Sequence, residues 1–552
     1  MTVPTKQLTL KVVSEPNPVE WRETLQSLLA SKEGYQGLFA HLIRGIEQRC
    51  FFDEFFERQP VHFSRNLSPQ NTAAVNSSSS SSSSNNKKKR KSHEADDALL
   101  FSQGALLSIV QQHGLHASNN LTITKYMNKQ RIDRAPDGGD ADDEEEGGPS
   151  VPIAREALVS AFKAGFTVQF YQPQRFADSL YKINAGFEHV FGTLAGASAY
   201  LTPPRSQGLE PHHDDVEVFV LQTEGSKRWN LYLDASASLP EVYAKNLPQE
   251  RLRGKVQVLL REGDVLYLPR GAIHEALAEA EFSTHVTISI YQNHSHKTLL
   301  KVMLPALCDE LFSREERFRR GLPVRMQETF GTFVALQQQQ QQQQQPCDGK
   351  YSTKDKEEAR EAMLNKMRRF AASLADLVTF ETLDAAADDV AADFVENRLP
   401  PPDCSAVSSP SFLPPATSGR KWGERGSRVR LVDAASMHAQ VEVEEGVEVI
   451  ALYNAGANDR KRHMGHPPGP EEDGDEGEEE AEGEGGGEEE DDPSARLPLS
   501  YGPIISALQL QPTCFVTSKE LLGAVRGLDL YEGDVDAALQ ALGKKGFLVS
   551  TF

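Results

Sequence analysis

At 552 residues and 39% hydrophobic content, the chain is too long for one ordinary domain and too polar to be folded throughout. Two or three cores separated by low-complexity sequence are expected. The formal net charge of −22 sits mostly in one insert: Glu471 to Asp492 holds 15 acids and no base, and without it the charge is −7, ordinary for a soluble fold.

The five cysteines (Cys50, Cys308, Cys347, Cys404 and Cys514) form no CxxC pair, which excludes a cysteine zinc site and a disulfide framework and predicts a reducing compartment. No run of 18 apolar residues occurs, so no membrane span is expected. The N-terminus, MTVPTKQLTLKV, lacks the apolar core of a secretory signal.

In chain order, residues 1–70 read as an N-terminal helical region. LFAHLIRGIEQRCFFDEFFERQPVHFSR carries apolar residues at helical spacing to about Phe56, the pattern of a structural element. Residues 71–95 are a Ser/Lys-rich insert, poly-serine from Ser77 to Ser84, too polar to order itself. Inside it Lys87, Lys88, Lys89, Arg90 and Lys91 form a basic pentamer. An exposed pentamer of this kind suits the acidic groove of an import receptor, so a nuclear location is expected; the competing reading is a solvated charge run.

Residues 96–296 read as one β-rich domain, interrupted by the acidic loop DGGDADDEEEGG. FTVQFYQP, SAYLTPP, VEVFVLQTEG, KRWNLYLD, KVQVLLREGD, VLYLPRG and THVTISIYQ are short stretches of branched and aromatic residues punctuated by Gly, Pro and Asp. Such a series predicts a barrel or a double-sheet jelly roll. Residues 297–398 switch to helix, with the glutamine run Gln337 to Gln345 expected as a disordered insert. Residues 399–425 are a Pro/Ser-rich linker. In 426–552, strand-like VRLVD, VEVIALYN and FLVSTF alternate with helix-like SYGPIISALQL and DVDAALQALGKKG around the acidic insert 471–492, a pattern compatible with a winged helix.

The chemistry concentrates in PHHDDVEVFVLQTEGSKRW, Pro211 to Trp229. It contains two overlapping His-x-Asp pairs, His212 with Asp214 and His213 with Asp215. On a strand, residues two apart face the same side, so either pair could send an imidazole and a carboxylate into one cavity. His274, in GDVLYLPRGAIHEA, can supply a third ligand. Two histidines and a carboxylate on one face of a metal leave three positions open, the facial triad of non-haem Fe(II) oxygenases. The open positions suit a bidentate 2-oxo acid and O2. A lone His-x-Asp is weak; followed by GD-x5-RG-x2-H among jelly-roll strands it is far stronger. Gly263-Asp264 and Pro269-Arg270-Gly271 predict tight turns.

Lys227, after the expected TEGS turn, has a stem long enough to bring its ammonium to the distal carboxylate of 2-oxoglutarate; a surface lysine is the alternative. On HVTISIYQ, His285, Thr287 and Ser289 share one face and Val286, Ile288 and Ile290 the other, as a strand lining a wet cavity would.

YLTPPRSQGLEPHHDDVEVFVLQTEGSKRWNLY, GDVLYLPRGAIHEA and HVTISIYQ together resemble the JmjC ribosomal-oxygenase family, whose members include bifunctional lysine-specific demethylases and histidyl-hydroxylases. The resemblance covers 151–295 best, and extends loosely to FFDEFFERQPVHFSR and FVENRLPPP. It implies an α+β architecture: a double-stranded β-helix (cupin-like JmjC) barrel, a helical dimerisation region and a C-terminal winged-helix domain. It selects His212, Asp214 and His274 as ligands of Fe(2+), with His213 at a position where relatives usually carry an aromatic residue. It assigns Lys227 to 2-oxoglutarate, with Tyr200, Thr287 and Ser289 beside that co-substrate and O2 as the second one. Ser198 stands where some relatives carry Asn. No catalytic side chain is implied beyond the iron centre.

The expected activity is therefore a 2-oxoglutarate-dependent dioxygenase acting on protein. Its implied substrates are a ribosomal-protein histidine, which it hydroxylates, and a histone-tail lysine, which it demethylates with consequences for chromatin and transcription. A homodimer in the nucleus, specifically the nucleolus, is implied. Direct DNA binding is not expected, because the acidic insert repels phosphate. A non-catalytic cupin serving as a chromatin or ribosome-assembly scaffold is the competing class, though an intact triad argues against it. A small-molecule cupin dioxygenase or isomerase is a third, without these helical and C-terminal appendages.

Overall fold

The computed structural model describes residues 5–31, 34–65, 100–116, 120–134, 152–292, 294–324, 326, 329–341, 353–402, 427–460, 495–511 and 514–551. The basic pentamer Lys87–Lys91, the acidic loop before Pro149 and the insert 471–492 lie outside them. The chain divides into two units, Met1–Asn293 with Phe394–Phe552, and His294–Asp393.

The first unit opens with β1 (Thr5–Lys6), β2 (Lys11–Ser14), α1 (Pro18–Ala30) and α2 (Tyr35–Leu42). The apolar periodicity expected to run as helix to Phe56 is broken at Gly45, where φ is +108°. It resumes as a short turn, α3 (Gln48–Cys50), continued by a π-helical turn at Phe51–Phe55. This geometry turns a row of phenylalanines inward. Phe39 meets Phe187 edge-on at 5.2 Å, and Phe187 meets Phe219 at 5.0 Å. Each such pair contributes about 0.5–1.5 kcal/mol beyond area burial, so this cluster seats the N-terminal helices on the barrel.

The remaining elements of the barrel region are β3 (Val61–Ser64), α4 (Gln103–His113), β4 (Leu121–Met127), β5 (Gln130–Asp133), α5 (Arg155–Lys163), β6 (Thr167–Tyr171), α6 (Asp178–Phe191), β7 (Ala195–Thr202), β8 (Glu217–Tyr232), β9 (Ser236–Ala237), β10 (Lys255–Arg261), β11 (Val265–Leu268) and β12 (Ile273–Ile290). The main sheet has ten strands in the order β2-β3-β11-β8-β12-β7-β6-β4-β5, with β10 also on β8.

The TEGS stretch does not separate two strands as expected. β8 runs through it as one 16-residue strand, pairing with β11 in its first half and with β10 in its second. The bend is at Gly225, with φ +63°; a Cβ there would sit 2.0 Å from the Phe282 carbonyl oxygen, so only glycine fits. Opposite it, the pairing of β12 with β8 shifts register between Ala278 and Ser283. The other two expected turns are present. Asp264 N donates to Arg261 O at 2.9 Å and Ala272 N to Pro269 O at 3.0 Å.

The second unit is helical: α7 (His296–Arg314), α8 (Glu316–Arg319), α9 (Thr332–Gln341), α10 (Thr353–Ala375) and most of α11 (Phe380–Asn397). Gln337–Gln341 extend α9, so the first five glutamines continue a helix where an insert was expected. Met303 and Leu307 of α7 pack with Ala386, Leu374 and Leu377.

From Phe394 onward the chain again belongs to the first unit. β13 (Arg428–Leu431) pairs with the terminal β17 (Leu548–Thr551), while β14 (Met437–Glu444), β15 (Val447–Asn454) and β16 (Ala495–Pro498) form a three-stranded sheet. With α12 (Gly502–Gln509), α13 (Ser518–Ala524) and α14 (Glu532–Lys544), they enclose a core of residues such as Leu431, Leu508, Leu521 and Leu539. Tyr35 Oη donates to Asp433 at 2.6 Å, tying this part to α2.

Candidate metal centre and adjoining cavity

His212 and Asp214 are not on a regular strand, as the two-residue period assumed; β8 begins only at Glu217. Backbone hydrogen bonds hold the segment instead. His212 N donates to His274 O at 3.1 Å and His274 N to His212 O at 2.8 Å, while Gly271 N donates to Asp214 O at 2.9 Å. The two imidazoles therefore lie side by side, with centroids 4.3 Å apart. Asp214 Oδ2 is 3.6 Å from His274 Nε2, and one potential ligand atom from each of the three residues lies within 4.8 Å of the others. His213 and Asp215 are not in this group. His213 is instead paired through its backbone to Ala244.

The tautomers are set by main-chain acceptors. His212 Nδ1 donates to Glu210 O at 2.7 Å and His274 Nδ1 to Ala272 O at 2.9 Å. A carbonyl can only accept, so each Nδ1 carries the hydrogen and each Nε2 keeps a free lone pair. Burial, reinforced by His212, drives the His274 imidazole down to about 4, which keeps it neutral. Two imidazoles oriented through Nδ1 and a carboxylate converging this closely form a donor set that fits a divalent transition metal.

Beside this group lies a cavity of about 100 Å3, lined by Ser198, Tyr200, Val218, Lys227, Trp229, His285, Thr287 and Ser289 among others. Lys227 is 4% exposed, and its Nζ donates to Thr202 Oγ1 at 3.0 Å. Burial alone pulls its ammonium down to about 7. Trp229 Nε1 and His285 Nδ1 are buried without hydrogen-bond partners among the described residues. Burial, then the charge of Lys227, holds His285 well below the usual imidazole range. Its ring stacks on Tyr200 at 4.8 Å and 5°. Gln169 Nε2 donates to Tyr200 Oη at 3.0 Å, and Thr287 Oγ1 donates to Ser198 O at 3.3 Å. An amine short of acceptors and an orphaned indole N–H around one cavity fit an anionic, carboxylate-bearing molecule.

The structure thus brings His212, Asp214 and His274 together, and puts Lys227, Tyr200, Thr287 and Ser289 on one adjoining cavity. Sequence reasoning missed Trp229, although it stands two residues from Lys227 on the same strand and so shares its face. It also missed Thr202, two residues from Tyr200 on β7, and left His285 without a role.

The fold and cavity are those of a JmjC-type jelly roll, and the JmjC domain family profile matches residues 169–299. Rat "Ribosomal oxygenase 2" is 30% identical over 440 residues, covering 77% of this chain and 78% of the relative. Rat "Ribosomal oxygenase 1" is 31% identical over 382 residues, covering 67% of this chain and 57% of the relative. An Aedes aegypti protein named "Bifunctional lysine-specific demethylase and histidyl-hydroxylase NO66" is 30% identical over 307 residues, covering 55% and 43%. The chain belongs to the JmjC ribosomal oxygenase family. It spans about half the length of the last two relatives.

Proposed function

We propose that this chain is an Fe(II)- and 2-oxoglutarate-dependent protein oxygenase. The carrying observation is the convergence of His212, Asp214 and His274 beside a cavity whose Lys227 is buried with no carboxylate partner among the described residues. His212 Nε2, His274 Nε2 and an Asp214 oxygen would hold the iron. Lys227 would receive the distal carboxylate of 2-oxoglutarate, aided by Trp229 Nε1–H. Tyr200, Thr287 and Ser289 would line its flank. Iron with 2-oxoglutarate and O2 supplies the oxidant that hydroxylates a C–H bond, with succinate and CO2 as co-products. The chain's own residues orient and exclude. Main-chain carbonyls aim both imidazoles, and the apolar walls of Val218 and the Trp229 ring keep bulk water from the centre.

The names of its relatives support hydroxylation of a histidine, read as one of a ribosomal protein, with lysine demethylation as a second activity. A histone-tail lysine as its target, with consequences for chromatin and transcription, is the reading taken from the sequence resemblance. The helical region 297–398 is read as the dimerisation region of a homodimer; Leu300, Leu304 and Phe312 on α7 are exposed apolar residues available for one. Residues 426–552 are read as a winged-helix module that makes protein contacts and does not bind DNA. The pentamer Lys87–Lys91 supports import to the nucleus, and the family supports the nucleolus.

The test is Fe(II)- and ascorbate-dependent conversion of 2-oxoglutarate to succinate by the full chain, with mass spectrometry of ribosomal proteins and histones from cells with and without it. His212→Ala is expected to abolish turnover and to weaken Mn(II) binding about 100-fold or more. Turnover equal in wild type and His212→Ala would return the chain to the class of scaffolds.

A further inference from the structure

Glu210 stands in the wall segment between Leu209 and His212, both of which line the cavity. Its main-chain oxygen is the acceptor that orients His212. The residue is 2% exposed, yet among the described residues its Oε2 has no hydrogen-bond partner. Glu275, a less buried carboxylate on β12, makes the contrast. It accepts from Tyr232 Oη at 2.6 Å, Gln207 Nε2 at 2.9 Å and Asn230 Nδ2 at 3.0 Å. Of the donors near Glu210, the Gln207 amide is committed to Leu209 O and Glu275, and Arg131 Nε to Asp133 at 2.9 Å. The Arg131 guanidinium feels the charge of Glu210 after that of Asp133, but among the described residues it makes no hydrogen bond to it.

A buried carboxylate oxygen left without a donor is costly, and such an oxygen calls for a partner or a role. The partner is not a metal held by neighbouring side chains. Among the described residues, the one cluster able to hold an ion is His212, Asp214 and His274, and Glu210 is outside it. Two phenols share its surroundings. The Tyr243 ring lies 5.5 Å from the His212 ring, at the metal centre. Burial raises the Tyr243 and Tyr126 hydroxyls; Asp214 at the first and Glu275 at the second add to it, and then the charge of Glu210 at both. A carboxylate with aromatic rings nearby is a setting that favours a cation.

We propose that Glu210 is a specificity-determining residue that receives a cationic side chain of the substrate peptide, flanking the residue presented to the metal centre. The proposal rests on the oxygenase reading and names the class of peptide that the site selects.

The test compares two labelled peptides, Gly-Lys-Gly-His-Gly-Lys-Gly and its norleucine counterpart. Their binding to the full chain is followed by fluorescence anisotropy, with Mn(II) and N-oxalylglycine present and again without them. Wild type is expected to bind the lysine peptide about tenfold more tightly, the scale of one charge-assisted hydrogen bond. In Glu210→Gln the ratio falls to about one, and in Glu210→Asp part of the preference survives. A merely structural defect weakens both peptides alike and leaves the ratio unchanged. Equal affinity of the two peptides for wild type, including no binding of either, overturns the proposal; so does an unchanged ratio in Glu210→Gln. Failure of the oxygenase reading is seen separately, as absent Fe(II)-dependent succinate formation.

Discussion

Lys227 Nζ donates to Thr202 Oγ1 at 3.0 Å, deep inside the barrel, and among the described residues no carboxylate pairs with it. A hydroxyl is a poor substitute for an anion, and burial accordingly lowers the amine to about 7. The sign of the stability effect follows. Between about 7 and the ordinary lysine value, the unfolded chain binds a proton that the folded chain does not. Stability therefore rises with pH across that window, and the cost of Lys227 is largest below it.

Lys227→Met is thus expected to abolish 2-oxoglutarate turnover while raising the melting temperature of the ligand-free protein by several degrees at pH 7. The gain is at most about 5 kcal/mol and shrinks toward pH 10. Differential scanning fluorimetry across pH checks it; a variant less stable than wild type at pH 7 would contradict the account.

Trp229 packs between His274 and His285, with ring centroids at 5.6 and 5.4 Å, and its Nε1–H is unused. Trp229→Phe keeps an aromatic wall and deletes that donor. The KM for 2-oxoglutarate is expected to rise about tenfold. The peptide KM should change much less, and steady-state kinetics varying each substrate in turn separates the two.

Gly225 and Gly192 both have positive φ, but their surroundings differ. A Cβ on Gly225 would meet the Phe282 carbonyl at 2.0 Å, whereas one on Gly192 would meet nothing within 4 Å. Gly192→Ala should cost about 1–2 kcal/mol, the conformational penalty alone. Gly225→Ala should cost more, since backbone must move, and should also reduce 2-oxoglutarate affinity because Lys227 follows the bend. Urea denaturation of both variants tests the order.

Arg398 is fully buried, with its Nε 3.9 Å from Glu188 Oε2 and its Nη1 donating to Ala435 O. Burial raises the Glu188 carboxyl to about 7 even with Arg398 beside it. Arg398→Met removes the cation beside that carboxyl, leaving it the N–H groups of Ala195 and Leu399, and is expected to cost about 3–5 kcal/mol. Adding Glu188→Gln should recover part of the loss, measurable as a double-mutant cycle in urea.

Legibility in the sequence followed the range of the forces involved. The alternation in HVTISIYQ is local, and Val286, Ile288 and Ile290 do lie in the core while His285, Thr287 and Ser289 line the cavity. The turns at Gly263 and Pro269–Gly271 are likewise written in their own residues. What local pattern could not reveal was the support of the site. His212 and Asp214 are aimed by hydrogen bonds to His274 and Gly271, some 60 residues away. Two overlapping His-x-Asp pairs were therefore indistinguishable by spacing alone. The continuity of β8 was hidden for a related reason: Gly225 reads as a turn until its partner β12 is seen to bend with it. Trp229 carried no signal of its own in the sequence, because an unused N–H is visible only in three dimensions.

β8 has one further implication. Phe219, near its start, is packed among Phe39, Phe51 and Phe187, while Lys227 and Trp229, past the bend, form part of the cavity wall. One unbroken strand thus anchors the N-terminal helices at one end and carries the proposed co-substrate contacts at the other. A shortened chain beginning at the barrel would lose Phe39 and Phe51 and leave that strand clamped on one side only. The N-terminal segment is in this sense the foundation of the cavity, and trimming it should blunt 2-oxoglutarate binding without removing a single residue that touches the ligand.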